Sequence, residues 1–576
     1  MSQVNIVGYI QKIFVNTKGF LIAKINRIDD DQYQFVNFKG NTFDDIKVND
    51  KVSVSGTISL HPTFGVQLEG SLYLAKSKKT EKNSNVFSLT DEQNDIVTKA
   101  KAGNTLKIKA FAGTGKTATL VEIAKQMPAR GLYLAYNKSI QVDAQTKFPE
   151  HVVCKTSHSL AYGHMYNEIN GRVKSSITPT EFMHYIDVSS RGNYSSFEIS
   201  FLAIKVLRLF CISWHKEIGD HFFDDKEFSM LGDEEDQKAV VRYICILAEE
   251  YWSKCVSDMS LPLEHDFYLK MFQLKYINLS KRFDYIMLDE AQDASPVLLN
   301  IVGRQTTQKI YVGDAHQQIY AWRGAINAMN FLDGEEAYLT QSFRFGKEVA
   351  DKANILLKFL YEKETLLGNE NIDSKIVTKK PKKLTILSRT NAKLILNLVD
   401  NINKKIHVIG GVDEVLVMAK SGFALYQGRK EDVKHSKLRY FHSWGALIKF
   451  NENFNDPDIG FLVKILDKYG DKFDEIIRKI ECANYVHESQ ASIVLSTIHK
   501  AKGREWDNVL LDGDFPMFLE CECLKEALRQ SKEEFNLLYV GVTRAKKQLM
   551  LAKGVDSFLK RIEKYITPTT SVQTPE

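Results

Sequence analysis

The sequence predicts an α/β protein built on parallel sheets, with mainly helical insertions and a small β-barrel at its N-terminal end. Three observations carry this. From Phe87 onward, short apolar segments alternate with helical stretches, the pattern of parallel strands covered by helices. Two longer stretches, about 167–278 and 401–487, replace that alternation with helical periodicity, as in 201–212, 238–255, 459–469 and 473–480. Before Phe87 the chain reads as five short strands bounded by turn signals.

Taken in order, the first strands are 4–15, 20–28, 33–38, 51–60 and 66–74, with turns at Thr17-Lys18-Gly19 and at His61 to Gly65. Short strands at this spacing close into a small barrel, either OB-like or SH3-like. Its aromatics Phe14, Phe20, Phe35 and Phe64 are assigned to the interior, with a single strand or a partner protein as the alternative occupant of that face. Residues 76–86 are polar and lysine-rich, a linker. Candidate strands of the parallel sheets are 106–110, 132–135, 284–288, 309–313, 384–388, 493–496, 509–512 and 548–552. The expected organisation is a barrel over 1–75 and a linker over 76–86. A first α/β domain follows over 87–166 and 279–335, interrupted by a helical insertion over 167–278. A second spans 336–400 and 488–560, interrupted by an insertion over 401–487, and 561–576 is a tail.

The 576 residues exceed what one core accommodates. With 44% apolar and 26% charged residues the composition is that of folded domains. A net charge of +5 argues against a protein that coats DNA by bulk charge and leaves room for a local basic groove. Seven cysteines without a CxxC pair fit a reducing compartment rather than a disulfide framework or zinc site. The absence of a signal-like start and of a run of about 18 apolar residues leads to the expectation of a protein that engages no membrane.

Ala110 to Thr117 reads Ala-Phe-Ala-Gly-Thr-Gly-Lys-Thr between an apolar strand and a helix. Strand, glycine turn and helix N-terminus make a triphosphate cradle, because unhindered N–H groups wrap the phosphates and the helix dipole favours negative charge. The cradle residues are Ala112, Gly113, Thr114 and Gly115. Lys116 reaches the β/γ-phosphates, and the Thr117 hydroxyl is a ligand for Mg²⁺. The apolar segment 284–288 ends in Asp289-Glu290, acids at the carboxyl end of a parallel strand, where open α/β sheets bind ligands. Asp289 is assigned to Mg²⁺, and Glu290 to polarising the water that attacks the γ-phosphate. ATP and Mg²⁺ are therefore the expected cofactors.

Further motifs stand in a fixed order. Leu89 to Gln93 precedes the phosphate loop, and Tyr136-Asn137-Lys138 and Thr156 to Tyr162 follow it. Then come Val312 to Gly324, Leu339 to Arg344, Leu387 to Asn391, Ser496 to Glu505 and Leu538 to Ala545. The set resembles superfamily 1A helicases, the UvrD/Rep/PcrA group, over about residues 87 to 555. The wording Gly313-Asp-Ala-His-Gln-Gln-Ile-Tyr320 is similar to the F-box DNA helicase branch, although no F-box is evident. The barrel resembles the N-terminal OB-fold of RecD-type helicases through Gly8-Tyr9-Ile10, Lys18-Gly19-Phe20 and His61 to Glu69.

The resemblance implies two RecA-like domains with ATP between them. It implies that Gln93 reads the adenine edge, Phe343 stacks on the adenine, Gln317 senses the γ-phosphate, and Glu505 holds the ribose. Arg344 and Arg544 are the implied arginine fingers. The implied DNA-facing residues are Tyr136, Asn137, Thr156, His158, Tyr320, Trp322, Arg323, Arg389, Asn391 and His499, which supply aromatic faces for bases and polar groups for phosphates. Single-stranded DNA and single/double-strand junctions are the implied partners, with a protein partner possible at the barrel or the insertions. The implied activity is a 3′→5′ ATP-dependent helicase or translocase of repair or recombination. Alternatives are a motor that strips proteins from DNA with little unwinding, and a partner-dependent subunit of a defence or repair complex. The implied location is cytoplasmic in a bacterial or viral source and nuclear in a eukaryote.

Overall fold

The computed structural model describes five strands within residues 3–74, and residues 89–567 apart from 193, 224–233, 259–260, 320–327, 436–437, 455–456 and 516–522. The chain forms two compact units, 1–88 and 89–576. In the first, β1 (Gln3–Val15), β2 (Leu21–Arg27), β3 (Tyr33–Phe38), β4 (Lys51–His61) and β5 (Gly65–Leu74) close a barrel in the order β1-β2-β3-β5-β4. Closure depends on the length of β1. Its first half pairs with β4 and its second half with β2, both antiparallel, around an irregularity between Ile10 and Lys12. β3 and β5 are parallel. The four phenylalanine side chains singled out above lie outside the described ones.

The second unit contains two six-stranded sheets, each parallel throughout. β6 (Leu106–Ala110), β7 (Gly131–Ala135), β8 (Val152–Thr156), β9 (Tyr285–Leu288), β10 (Gln308–Gly313) and β11 (Glu335–Leu339) take the order β11-β6-β10-β9-β7-β8. β12 (Lys375–Ile376), β13 (Leu384–Ser388), β14 (Ile406–Val408), β15 (Ile493–Thr497), β16 (Trp506–Leu511) and β17 (Ala545–Leu551) take the order β12-β17-β16-β13-β15-β14. We call the two halves the first and second lobes. Parallel strands are buried on both faces. Thus Leu132, Leu134, Ile286 and Leu288 point into one core, and Tyr133, Tyr285 and Met287 into the core on the opposite face.

Three boundaries differ from the sequence reading. The first lobe runs past 335, because β11 pairs with β6 as its edge strand. The second insertion begins after Val408 rather than at 401, because β14 pairs with β15. The tail does not begin at 561. A helix spans Lys553–Ile566 and buries Ile562. Strands β8, β11, β12 and β14 are also absent from the sequence reading; β12 and β14 have only two and three residues, and β11 opens on two exposed glutamates.

The helices Pro179–Tyr185, Ser196–Ile212, Glu234–Ser257 and His265–Leu274 share one core with a face of the first sheet. The helices Asp413–Tyr426, Trp444–Phe454, Pro457–Tyr469 and Phe473–Glu481 do the same for the second. The insertions meet edge-on through Phe201 and Phe450, with ring centroids 5.0 Å apart. The lobes meet through an apolar contact in which Phe111, Ala112 and Ile319 join Phe345, Phe535 and Leu538.

Candidate nucleotide and nucleic-acid sites

β6 ends at Ala110, the glycine loop follows, and a helix begins at Lys116 (Lys116–Gln126). Gly113 and Gly115 have φ of 77° and 79°, a region that glycine enters without steric cost. At Gly113 space decides as well, since a Cβ there would lie 2.7 Å from the Arg344 Cβ and the Ser342 Oγ. The second lobe thus lies directly on the phosphate loop, and the Phe343 N–H donates to the Gly113 carbonyl at 2.8 Å.

The acids sit beside it. Asp289 is buried; it accepts from the Tyr133 hydroxyl at 2.6 Å and from the Glu290 N–H at 2.9 Å. Lys116 Nζ lies 3.2 Å from Glu290 Oε1. Glu290 adopts a left-handed backbone, φ 51°, uncommon for a residue with a side chain and concentrated at functional sites. Burial and the adjacent Glu290 charge push the Asp289 carboxyl up. Burial acts the same way on Glu290, but Lys116 and Lys502 outweigh it and hold that carboxyl below its ordinary value. Burial opposes the charge of Lys116, and Glu290, Asp314 and Asp289 more than compensate, raising it.

The second lobe completes the cleft. Arg544 is buried, and its guanidinium donates to Val540 O at 2.9 Å, Arg504 O at 3.2 Å, Thr543 Oγ1 at 3.0 Å and Gln317 Oε1 at 3.3 Å. Burial, with Arg344 nearby, lowers its pKa to about 9, so it remains a cation at neutral pH. Gln317 also donates to Asp314 Oδ2 at 2.6 Å, so one side chain spans a first-lobe acid and a second-lobe arginine. Arg344 donates to Glu505 Oε2 at 2.7 Å and to Thr543 O at 3.2 Å. Glu505, expected at the ribose, is the partner of Arg344 here.

At the other end of the cleft, Gln93 and the Phe343 ring both stand beside Gly115. The Gln93 amide is occupied by protein. Its oxygen accepts from Thr90 N at 3.1 Å and its nitrogen donates to Thr119 Oγ1 at 3.0 Å, so reading an adenine edge requires it to exchange partners. For a divalent ion, the Thr117 hydroxyl on the first helical turn and the Asp289 carboxylate are hard oxygen donors of the kind magnesium takes. The buried charge of Asp289 makes a cation there favourable, so the residues fit.

Two residues in this cleft were not singled out by sequence. Lys502 Nζ bonds the buried Asp293, donates to Gln317 O at 2.6 Å and lies 3.9 Å from Glu290. The Tyr539 hydroxyl accepts from Ala112 N–H at 3.2 Å and donates to Asp314 Oδ2 at 3.1 Å, tying the phosphate loop to the second lobe. Both lie inside motifs that the sequence displays, and a cation or hydroxyl within them was the available signal.

The family model described as the UvrD/REP helicase N-terminal domain matches residues 256–338, and that of the UvrD-like helicase C-terminal domain matches residues 347–554. The chain belongs to the UvrD-like helicase family. F-box DNA helicase 1 of Gallus gallus is 31% identical over 513 residues, 82% of this chain and 50% of that protein. F-box DNA helicase protein 1 of Schizosaccharomyces pombe is 32% identical over 515 residues, 81% of this chain and 58% of that protein. A probable DNA helicase II homolog of Mycoplasma genitalium is 22% identical over 388 residues, 47% of this chain. The chain thus spans about half the length of the F-box relatives that it matches, 50% of one and 58% of the other.

Within this UvrD-like framework the described residues expected to face DNA stand at the carboxyl ends of strands in both sheets, those of the first sheet on the half away from β6. Tyr136 and Asn137 follow β7, Thr156 ends β8 and His158 follows it, while Arg389 and Asn391 follow β13 and His499 follows β15. Several carry structural duties. The Asn137 and Thr156 oxygens cap helices, accepting from Ile140 N and Ser159 N. His158 pairs with Asp266 of the first insertion at 2.9 Å. Arg389, expected to meet a phosphate, is clasped by Glu534 at 2.5–2.9 Å. Asn391 opens the helix Asn391–Asp400. Tyr320, Trp322 and Arg323 lie outside the described residues. Among the described residues no helix is long and apolar enough to cross a membrane.

Proposed function

We propose that this chain is an ATP-hydrolysing motor that moves 3′→5′ along single-stranded DNA and separates strands at junctions, in repair or recombination. The observation that carries this reading is the bridge from Asp314 through Gln317 to Arg544, which links the two lobes across the phosphate loop. Arg544 has five N–H groups, of which four are bonded in this arrangement, one of them to Gln317 Oε1. A γ-phosphate is a stronger acceptor than an amide, so its arrival draws Arg544 from Gln317 and Arg344 from Glu505. The lobes then close on ATP and relax after hydrolysis. Lys116 and the loop amides hold the phosphates, and ionised Glu290 orients and polarises the attacking water. Thr117 and Asp289 would hold magnesium, which supplies charge neutralisation at the β- and γ-phosphates.

Alternating grip by the carboxyl ends of the strands in both lobes turns the cycle into a step. The parallel β3–β5 pair and the closed order of the barrel support its reading as an OB-fold, a module that binds single strands. The second insertion is small, with four α-helices among its described residues after Val408, which favours protein removal from DNA as the alternative output. A nuclear location follows if the source is eukaryotic, like the two F-box relatives, and a cytoplasmic one otherwise.

The test is steady-state ATP hydrolysis with and without oligo-dT, for the wild-type chain beside Glu290→Gln. Strong stimulation by the oligonucleotide, with kcat lower by at least about a hundredfold in the variant, is expected. Equal turnover in the two proteins would overturn the reading. Displacement of streptavidin from 5′- but not 3′-biotinylated strands is the outcome expected for 3′→5′ movement.

A further inference from the structure

The turn Ala315–Gln317 carries the candidate phosphate sensor Gln317, and its middle residue is His316. His316 is buried, and its Nε2 lies 2.8 Å from Oε2 of Glu362, a residue of the second lobe. A carboxylate only accepts, so Nε2 carries the proton. The other ring nitrogen is buried and has no hydrogen-bond partner among the described residues, so this is the ring's one hydrogen bond among them.

Glu362 is built to face it. The helix Lys347–Phe359 ends in a tight turn in which Tyr361 has a left-handed backbone, φ 63°, and Glu362 N–H returns to Leu357 O at 2.9 Å. The second carboxylate oxygen accepts from Lys363 N at 2.8 Å and Glu364 N at 3.2 Å. One oxygen is thus fixed by its own turn while the other reaches across the lobe boundary. Burial alone would raise the Glu362 carboxyl, but His316 and those N–H groups lower it to about 2. On its other side the His316 ring packs edge-on to Tyr539, with centroids 6.2 Å apart.

We propose that His316 and Glu362 form an interlobe latch, a positioning pair that holds the sensor turn on the second lobe and so fixes Gln317 relative to Arg544. Neither side chain has a role in the chemistry assigned above. The latch sits one residue from Gln317, and Lys502 and Asn536 secure the same turn by donating to the carbonyls of Gln317 and Gln318 at 2.6 and 2.8 Å. With Glu362 removed, the turn keeps its carbonyl contacts and the packing on Tyr539 but loses the hydrogen bond that ties the His316 ring to the second lobe. ATP affinity is therefore preserved, while the alignment of Gln317 with Arg544, which matters in the transition state, is degraded.

The proposal rests on the reading that this cleft hydrolyses ATP, and two readouts separate the failures. The first is steady-state ATPase with oligo-dT for wild type, Glu362→Ala and Glu362→Gln. Glu362→Ala lowers kcat by about tenfold with KM for ATP within about twofold, and Glu362→Gln, which still accepts from Nε2, recovers about half of the loss on a logarithmic scale. The second is hydrogen exchange of the nucleotide-free proteins. In Glu362→Ala the amides of residues 313–318 exchange at least about tenfold faster than in wild type, while those of β6 and β9 are unchanged. Unchanged exchange over 313–318 overturns the latch, as does a loss that appears in KM with kcat intact. A wild-type chain without ATPase refutes the functional reading, and the exchange result still decides the latch.

Discussion

Replacing Lys502 by Met isolates the electrostatics of the cleft. Lys502 is a second-lobe cation with 8% of its side chain exposed, bonded to Asp293, whose side chain is wholly buried. Removing one member of a buried pair leaves an uncompensated charge, a cost of about 3–5 kcal/mol when no relief exists. Here relief exists. Burial already raises the Asp293 carboxyl to about 6, against the pull of Lys502, so without the lysine a proton takes its place. The sign follows. A carboxyl whose folded pKa lies above its unfolded value contributes stability that is complete below the unfolded pKa of 3.8 and is lost as pH rises through the folded pKa. Near pH 8, about two units above the value of about 6 that Asp293 has beside Lys502, wild type holds an ionised pair that the variant lacks, so Lys502→Met destabilises by about 3 kcal/mol. Near pH 6 the proton is available, and the remaining loss is about 1 kcal/mol for the bond to Gln317 O. Adding Asp293→Asn removes the orphaned charge and returns most of the stability at the higher pH. Urea unfolding followed by circular dichroism at the two pH values, for wild type, the single variant and the double, measures this. Equal destabilisation at both pH values, or a double variant no better than the single, would refute the assignment of Lys502 as the counter-charge of Asp293.

Two further outcomes are expected. Glu534→Gln releases the guanidinium of Arg389; fluorescence anisotropy with oligo-dT then shows tighter binding and a salt slope steeper by about 0.7, the value for one additional phosphate contact on a single strand. Unaltered affinity in this variant would remove Arg389 from the DNA path. Lys270 is wholly buried in the first insertion, donating to Ser213 O at 3.1 Å and lying 4.3 Å over the Phe210 ring, and burial lowers its pKa to about 8. A depressed lysine contributes stability present above its unfolded pKa of 10.5 and lost as pH falls through about 8. The stability difference between wild type and Lys270→Met therefore shifts toward wild type by on the order of 3 kcal/mol between these limits, as read by chemical denaturation. A difference independent of pH would mean that Lys270 is not desolvated.

The sequence by itself determined the local parts. A glycine loop between an apolar strand and a helix, and an acid pair at a strand end, are short-range patterns, and Lys116, Asp289 and Glu290 stand together because each is fixed by the element beside it. What lay beyond sequence was every relation carried by long-range pairing. Strand β11 is two glutamates and three residues long in its apolar part, and only its register beside β6 makes it a strand of the first lobe. Arg389 has the chemistry of a phosphate contact, but Glu534, 145 residues away, holds its guanidinium. The motifs show a cation at Lys502 and a hydroxyl at Tyr539 but not what these meet, because their partners, Asp293 and Ala112, belong to the other lobe. Local propensity and spacing fix which residues begin and end an element. Which buried charge meets which counter-charge is decided only when two lobes, hundreds of residues apart in the chain, pack against each other and exclude water between them.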